Sequence, residues 1–412
     1  MNLYGAIILT ALLFDYVLNL IAGLLNLTTV SHELPGEFAA NIDLKSYERS
    51  RSYTRIRTKF GFVESTFSLV IVLLFWFGGG FNLLDELVRR WQFGTIVTGV
   101  LYIGILLLVR ATLSIPLNVY STFVIEERFG FNKTTPKTFV IDYFKGLLLA
   151  FVLGIPLLLG MLAFFEYAGV FAWLYCWITA TVFILIVQFV APTFIMPLFN
   201  KFTPLEPGEL KNEIISYAMS VRFSLSDVFV MDGSKRSNKS NAFFTGFGKN
   251  KRVVLFDTLI QKHTVGELVA ILAHEIGHYK KKHIQHGIVI NIIHTGVMFF
   301  LMSLFIGQRG LFEAFYMQNV TVYAGLLFFG LLFTPIEFFL SLGMNALSRK
   351  NEFEADRFSV ETFKKPETMI IALKKLSLDN LSHLTPHPFY VKLNYSHPPI
   401  VQRIQAIRCC NK

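Results

Sequence analysis

Apolar residues run unbroken, or nearly so, for about twenty residues or more in seven stretches: roughly 3–28, 62–84, 92–117, 146–168, 169–198, 285–308 and 321–346. A helix of that length and composition crosses the hydrocarbon core of a bilayer, so the pattern predicts seven transmembrane helices. The first stretch has no Lys or Arg before it and no small-residue cleavage site after it, and is expected to be a retained span rather than a signal peptide. The boundary between the fourth and fifth is the least marked, because Glu166 is the only charge between Lys145 and Lys201. Two polar-patterned segments remain, 199–284 and 347–412. In the first, Ser226–Asp232 and Arg252–Phe256 read as strands, and 265–284 reads as a helix that runs on toward the sixth span. The second is helical around 349–378 and then loop-rich through Pro386, Pro388, Pro398 and Pro399. The chain thus divides into spans one to five (1–198), a first soluble part (199–284), spans six and seven (285–346) and a second soluble part (347–412).

Composition agrees with a membrane chain. Of 412 residues, 53% are hydrophobic and 16% charged, against about 25% charged in soluble domains. The net charge of +10 is concentrated in alternate loops. The loop after the first span holds six basic residues from Lys45 to Lys59, the loop after the third holds Arg128, Lys133 and Lys137, and 199–284 is rich in Lys. The intervening loops carry Arg89 and Arg90, then none, then Arg309. Basic loops stay on the cytoplasmic side, so both soluble parts are expected there and the N-terminus opposite. The corresponding membrane is the endoplasmic reticulum for a eukaryotic source and the inner membrane for a bacterial one. The expected environment of this charge is a lipid bilayer with anionic headgroups, with no nucleic acid. Three cysteines (Cys176, Cys409, Cys410) are too few for a disulfide scaffold.

The chemistry concentrates in His274-Glu275-Ile276-Gly277-His278, inside a helical pattern. Positions i and i+4 share a helix face, so both imidazoles reach one ion, and Glu275 sits one residue round as a candidate base. Two surface histidines on a basic helix would look the same. A third ligand from elsewhere in the fold favours the metal reading, because catalytic zinc sites of the two-His, one-Glu type need one. Asn351-Glu352-Phe353-Glu354-Ala355-Asp356 offers it: Glu352 and Asp356 share a face, and Glu354 is expected to point away. Glu352 is then the ligand, and Asp356 accepts the outer N–H of a ligating His. His283, His286, His383 and His387 are not assigned to the metal. Asp15, Asn19, Glu64, Arg110, His294 and Glu337 fall within spans, where polar groups face a cavity or one another.

HEIGH followed by EFEAD resembles the gluzincin peptidases, and the whole chain resembles their integral-membrane branch, the type I CAAX prenyl endopeptidases. The resemblance extends to LPGEF at 34–38, the segments 120–139, 191–205 and 240–259, and NYSHPP at 394–399. It implies an α-helical polytopic membrane protein in which seven transmembrane helices enclose an intramembrane chamber, with a gluzincin-type zinc protease domain at the cytoplasmic end. It implies one zinc ion per chain on His274, His278 and Glu352, with Glu275 and Asp356 in catalysis. It also gives Asn241 a place beside the bound peptide and His397 a place at the oxyanion; on chemistry alone either residue would read as structural. Arg403 is a weaker candidate, pairing with a carboxylate of the site. The substrate implied is a peptide or prenylated protein C-terminus from which the last three residues are released. The rival readings are a quality-control metalloprotease acting on unlipidated membrane clients, and a transporter with a vestigial metal site. Cys409 is fourth from the end, but Cys410, Asn411 and Lys412 match a prenylation box poorly, so an unmodified, dispensable tail is expected.

Overall fold

The computed structural model of the protein describes residues 1–30, 33–38, 44–245 and 251–410. Residues 246–250 of the 240–259 segment, and Asn411 and Lys412 of the tail, lie outside the described residues. Among the described residues seven helices are long and apolar enough to cross a membrane: Leu3–Thr28, Leu44–Phe77, Thr95–Glu126, Pro136–Tyr167, Gly169–Phe199, His283–Phe305 and Val322–Phe363. No more than 22% of the most apolar window of any of them is buried within the protein. Close-packed bundle helices would bury far more. The spans instead form a ring, with lipid outside and a chamber inside.

The second span differs from its expected limits. It starts at Leu44 and ends at Phe77, where Gly78 and Gly79 turn the chain; Gly79 has φ +68°, which a side chain would resist. Residues after it form a separate helix, Gly80–Arg89, which buries Phe81, Leu84, Asp85 and Val88. This helix and the turn after the sixth span close one end of the ring. Phe81, Phe315 and Phe328 pack ring against ring there, and Trp76 Nε1 donates to the Ala314 carbonyl at 2.7 Å.

The elements of the two polar segments sit at the other end. A four-stranded sheet has the order β1-β2-β4-β3, where β1 is Phe202–Pro204, β2 Asp227–Met231, β3 Ala242–Thr245 and β4 Arg252–Phe256. β2 and β4 are parallel, and β3 is an antiparallel edge strand that pairs only with β4 among the described residues. β1 and β3 are additions to the two strands expected, each too short to show alternation of its own. Val253 and Leu255 of β4 pack against Leu268, Leu272 and Ile276 of the helix Val265–Lys280, joining sheet and metal motif in one core.

Three helix boundaries also depart from expectation. The motif helix does not continue into the sixth span: it stops at Lys280, and Lys282, at φ +60°, turns the chain before a new helix starts at His283. The seventh span does not end near residue 346, but runs unbroken from Val322 to Phe363. Charges at Arg349 and Lys350 mark where it leaves the lipid, not where the helix stops. The expected loop-rich tail holds two further helices, Pro388–Asn394 and Ile400–Cys410. The latter docks through Ile400, Ile404 and Ile407 onto Phe38, Tyr47 and Ile370, leaving Cys409 and Cys410 exposed.

Candidate metal centre

The motif helix is anchored at its start by a capping box. Thr264 Oγ1 accepts from the Glu267 N–H at 3.4 Å, and the Thr264 N–H donates to Glu267 Oε2 at 3.1 Å. Glu267 also takes an ion pair from Lys375 at 2.6 Å, tying the helix to its neighbour Pro366–Asp379. From Leu268 to Ile276 the helix is buried on nearly every side, apart from the partly open Glu275. It crosses the long helix Val322–Phe363 at Gly277. A Cβ at Gly277 would lie 3.0 Å from the Ala355 Cα, a tight contact that a larger residue makes only if the helices shift by a few tenths of an ångström. Ser359 Oγ donates to the Ala270 carbonyl at 3.2 Å across the same seam.

That crossing brings the ligand candidates together. His274 Nε2 and His278 Nε2 are 3.1 Å apart. Glu352 places Oε2 3.5 Å from His274 Nε2 and Oε1 3.2 Å from His278 Nε2. One ligand atom from each residue lies within 4.8 Å of the others. Glu352 is 4% exposed, and its Oε2 has no hydrogen bond; Arg403 Nη1 lies 3.1 Å away but off the bonding direction. Two imidazoles and a buried carboxylate oxygen in want of a partner fit a divalent metal ion.

Around them lies a second set of contacts. His274 Nδ1 is 2.9 Å from Asp356 Oδ1, which fixes a hydrogen there, so that the neutral ring offers Nε2 to a metal. Asp356 is held in turn by Arg403, whose Nε and Nη2 donate to Oδ2 and Oδ1 at 2.8 and 2.6 Å. Arg403 therefore bridges Asp356 and Glu352, a larger part than its sequence position suggested. The signal was present: Arg403 interrupts the apolar stripe Ile400, Ile404, Ile407. Burial alone would make the ring of His274 less basic, but its bonds to Asp356 and Glu352 outweigh this and raise it to about 9. Burial pushes the Glu275 carboxyl above its ordinary range, and nearby Glu352 adds to the effect against His274 and His278.

His397 stands at the rim, 65% exposed, with Nε2 3.3 Å from Glu352 Oε1 and Nδ1 2.9 Å from Ser396 Oγ. Asn241 is exposed just before the edge strand β3, its Oδ1 accepting from the Ala242 N–H at 2.9 Å. A cavity of about 500 Å³ opens beside His397, lined by Asn380, His383, Tyr395, His397, Pro399 and Arg403 among others. Asn380 at its wall exchanges two 3.1 Å hydrogen bonds with the backbone of Ser240, the residue before Asn241. These contacts add two residues that the sequence motifs left without a part in the site. Glu354 does not stand idle: it meets His283, and His283 meets His278, each at 3.1 Å. The break at Lys282, invisible in the run Lys280-Lys281-Lys282, is what moves His283 onto the site.

Residues 23–201 match the family model described as the CAAX prenyl protease N-terminal, five membrane helices, and residues 204–410 match Peptidase family M48. The chain is similar to CAAX prenyl protease 1 of Saccharomyces cerevisiae, with 35% identity over 91% of this chain and 88% of the relative. To the human CAAX prenyl protease 1 homolog it is 33% identical over 92% of this chain and 89% of that one. Its fold is similar to the crystal structure of S. mikatae Ste24p, with a TM-score of 0.94 and 32% identity over 99% of both chains.

Proposed function

The chain belongs to peptidase family M48 and is a membrane metalloendopeptidase; on that premise we propose that it cleaves prenylated CAAX-type proteins near the C-terminus and releases their last three residues. The observation that carries this reading is the convergence of His274, His278 and Glu352 beside Glu275, in a chain with seven helices long and apolar enough to cross a membrane. The names of the similar proteins support the substrate class. We assign zinc as the metal, one ion per chain. Two nitrogens and one oxygen from this chain are the protein's share of a catalytic zinc's ligand set. Bound there, zinc would polarise the scissile carbonyl and make an attacking water more acidic.

The remaining work belongs to the side chains. Glu275 takes the proton from the attacking water on its carboxylate and later delivers it to the leaving amine. Its raised pKa suits both directions of transfer. His397 Nε2–H donates to the oxyanion from the rim, a class of interaction worth about 10²–10³ in rate. The edge of β3 that no described residue pairs with adds the substrate backbone as a further strand, with Asn241 at the point where the peptide enters. Asp356 holds His274, and Arg403 offsets the charge of Asp356 and Glu352. The cavity beside His397 takes the portion of substrate beyond the scissile bond. We place this site on the cytoplasmic side, from the alternation of basic loops, in the endoplasmic reticulum membrane of a eukaryotic cell.

The test compares a farnesylated peptide with its unfarnesylated twin, using purified protein with and without a chelator. Cleavage of the farnesylated peptide, abolished by chelation, supports the proposal. Equal cleavage of both would favour a protease for unlipidated clients.

A further inference from the structure

His278 differs from His274 in how its outer nitrogen is held, and the difference lies in two residues outside both ligand motifs. On a continuous helix, five residues turn about 500°, so His283 would sit about 140° away from His278. The left-handed Lys282 breaks the helix and folds the first residue of the sixth span back onto the motif. His283 is 8% exposed, with Nδ1 3.1 Å from His278 Nδ1 and Nε2 3.1 Å from Glu354 Oε2.

Hydrogen bookkeeping along this chain has one neutral solution. The Glu354 carboxylate can only accept, so His283 Nε2 carries the hydrogen. A neutral His283 then has a bare Nδ1, which can only accept, so the hydrogen of His278 is on Nδ1. His278 Nε2 is thereby left bare, and it is the atom that faces Glu352 at 3.2 Å. We infer that His283 and Glu354 position His278 for the metal, holding its ring and tautomer by relay as Asp356 holds those of His274 directly. One helix thus supplies the ligand Glu352 and the anchors for both ligating histidines, at positions 354 and 356. Glu354 is partly exposed, with Oε1 3.8 Å from Lys350, while its Oε2 meets the buried His283.

This inference rests on His278 being a metal ligand, and that premise has its own control: wild-type protein must bind one metal ion competitively with a chelator. The experiment measures Zn²⁺ affinity by chelator competition, and the absorption spectrum of the Co²⁺ form, in full-length protein in detergent. His283→Phe is expected to weaken Zn²⁺ by about 10–100-fold, as removal of such supporting contacts does, and to change the Co²⁺ spectrum. His283→Gln, whose Oε1 accepts and Nε2 donates along the same line, restores most of the loss. Glu354→Leu weakens Zn²⁺ several-fold, and the double variant His283→Phe/Glu354→Leu is no weaker than His283→Phe alone. Thermal unfolding of each metal-free variant separates lost packing from lost positioning. Wild-type affinity and spectrum in His283→Phe, or equal losses in His283→Phe and His283→Gln, would overturn the inference while leaving the metal site itself standing. Should His283→Phe not fold, Glu354→Leu and His283→Gln still decide the matter by the same criteria.

Discussion

Gly277 lies so close to Ala355 that an added Cβ would sit 3.0 Å from the Ala355 Cα and 3.1 Å from its carbonyl oxygen. Both neighbours are backbone, so neither can turn aside. The glycine between two ligating histidines is therefore a spacing device: it sets how far Glu352 and Asp356 stand from His274 and His278. Gly277→Ala is expected to push the helices apart, costing about 1–3 kcal/mol in overpacking, partly offset by up to about 1 kcal/mol of better helix propensity. Metal affinity should fall more than stability does. Paired thermal unfolding and chelator competition check this; an unchanged affinity would contradict it.

Arg403 is buried with two carboxylates, 2.6 Å from Asp356 Oδ1 and 3.1 Å from Glu352 Oε2. Removing one partner of a buried pair leaves uncompensated charge, a loss of about 3–5 kcal/mol. Arg403→Met should therefore destabilise the protein strongly at neutral pH. Arg403→Lys should recover part of this, having charge but not the two-pronged bond to Asp356. Denaturation midpoints of the three proteins in one detergent give the order: wild type, Lys, Met.

The metal-free protein has a pH signature at His274. Its ring is raised to about 9 from 6.5, so in the folded state it holds its proton to higher pH than in the unfolded chain. Such a group adds stability that is fully present below pH 6.5 and is lost as the pH rises through about 9. Stripped of metal, wild type should exceed His274→Gln in unfolding temperature by more at pH 6 than at pH 9.5. The same proton competes with the ion, so metal affinity should climb as pH rises toward 9.

Glu275 must be ionised to accept a proton. Burial lifts its pKa above the ordinary carboxylate value of 4.5, so the acidic limb of the kcat/KM profile should lie above that of an exposed glutamate. A limb at or below pH 4.5 would remove Glu275 from the base role.

The elements whose information is local were legible in the sequence: spans follow from apolar length, and the shared faces of His274 and His278, and of Glu352 and Asp356, follow from helical spacing. What depends on how helices meet was not. Nothing local to Gly277 names Ala355 as its neighbour. A left-handed Lys282 inside a run of lysines carries no glycine to announce it, so the relay through His283 to Glu354 stayed hidden. The seventh span was cut short near residue 346 because charge marks the edge of the lipid, whereas the helix runs to Phe363. Strands as short as β1 and β3 have too few residues to alternate.

Orientation is testable without reference to catalysis. Single cysteines at residues 210 and 382 should react with an impermeant label from the same side of the membrane, and one at residue 310 from the other. Labelling of all three from one side would contradict the seven-span arrangement.

The central claim, that His274, His278 and Glu352 hold one zinc ion on which Glu275 acts as base, is tested most directly by elemental analysis of purified variants alongside hydrolysis of a farnesylated peptide. Glu275→Gln should retain one zinc per chain while hydrolysis falls by about 10²–10⁴. Glu352→Ala and the double variant His274→Ala/His278→Ala should lose both metal and activity. Stoichiometric zinc in that double variant, or undiminished hydrolysis in Glu275→Gln, would contradict the assignment.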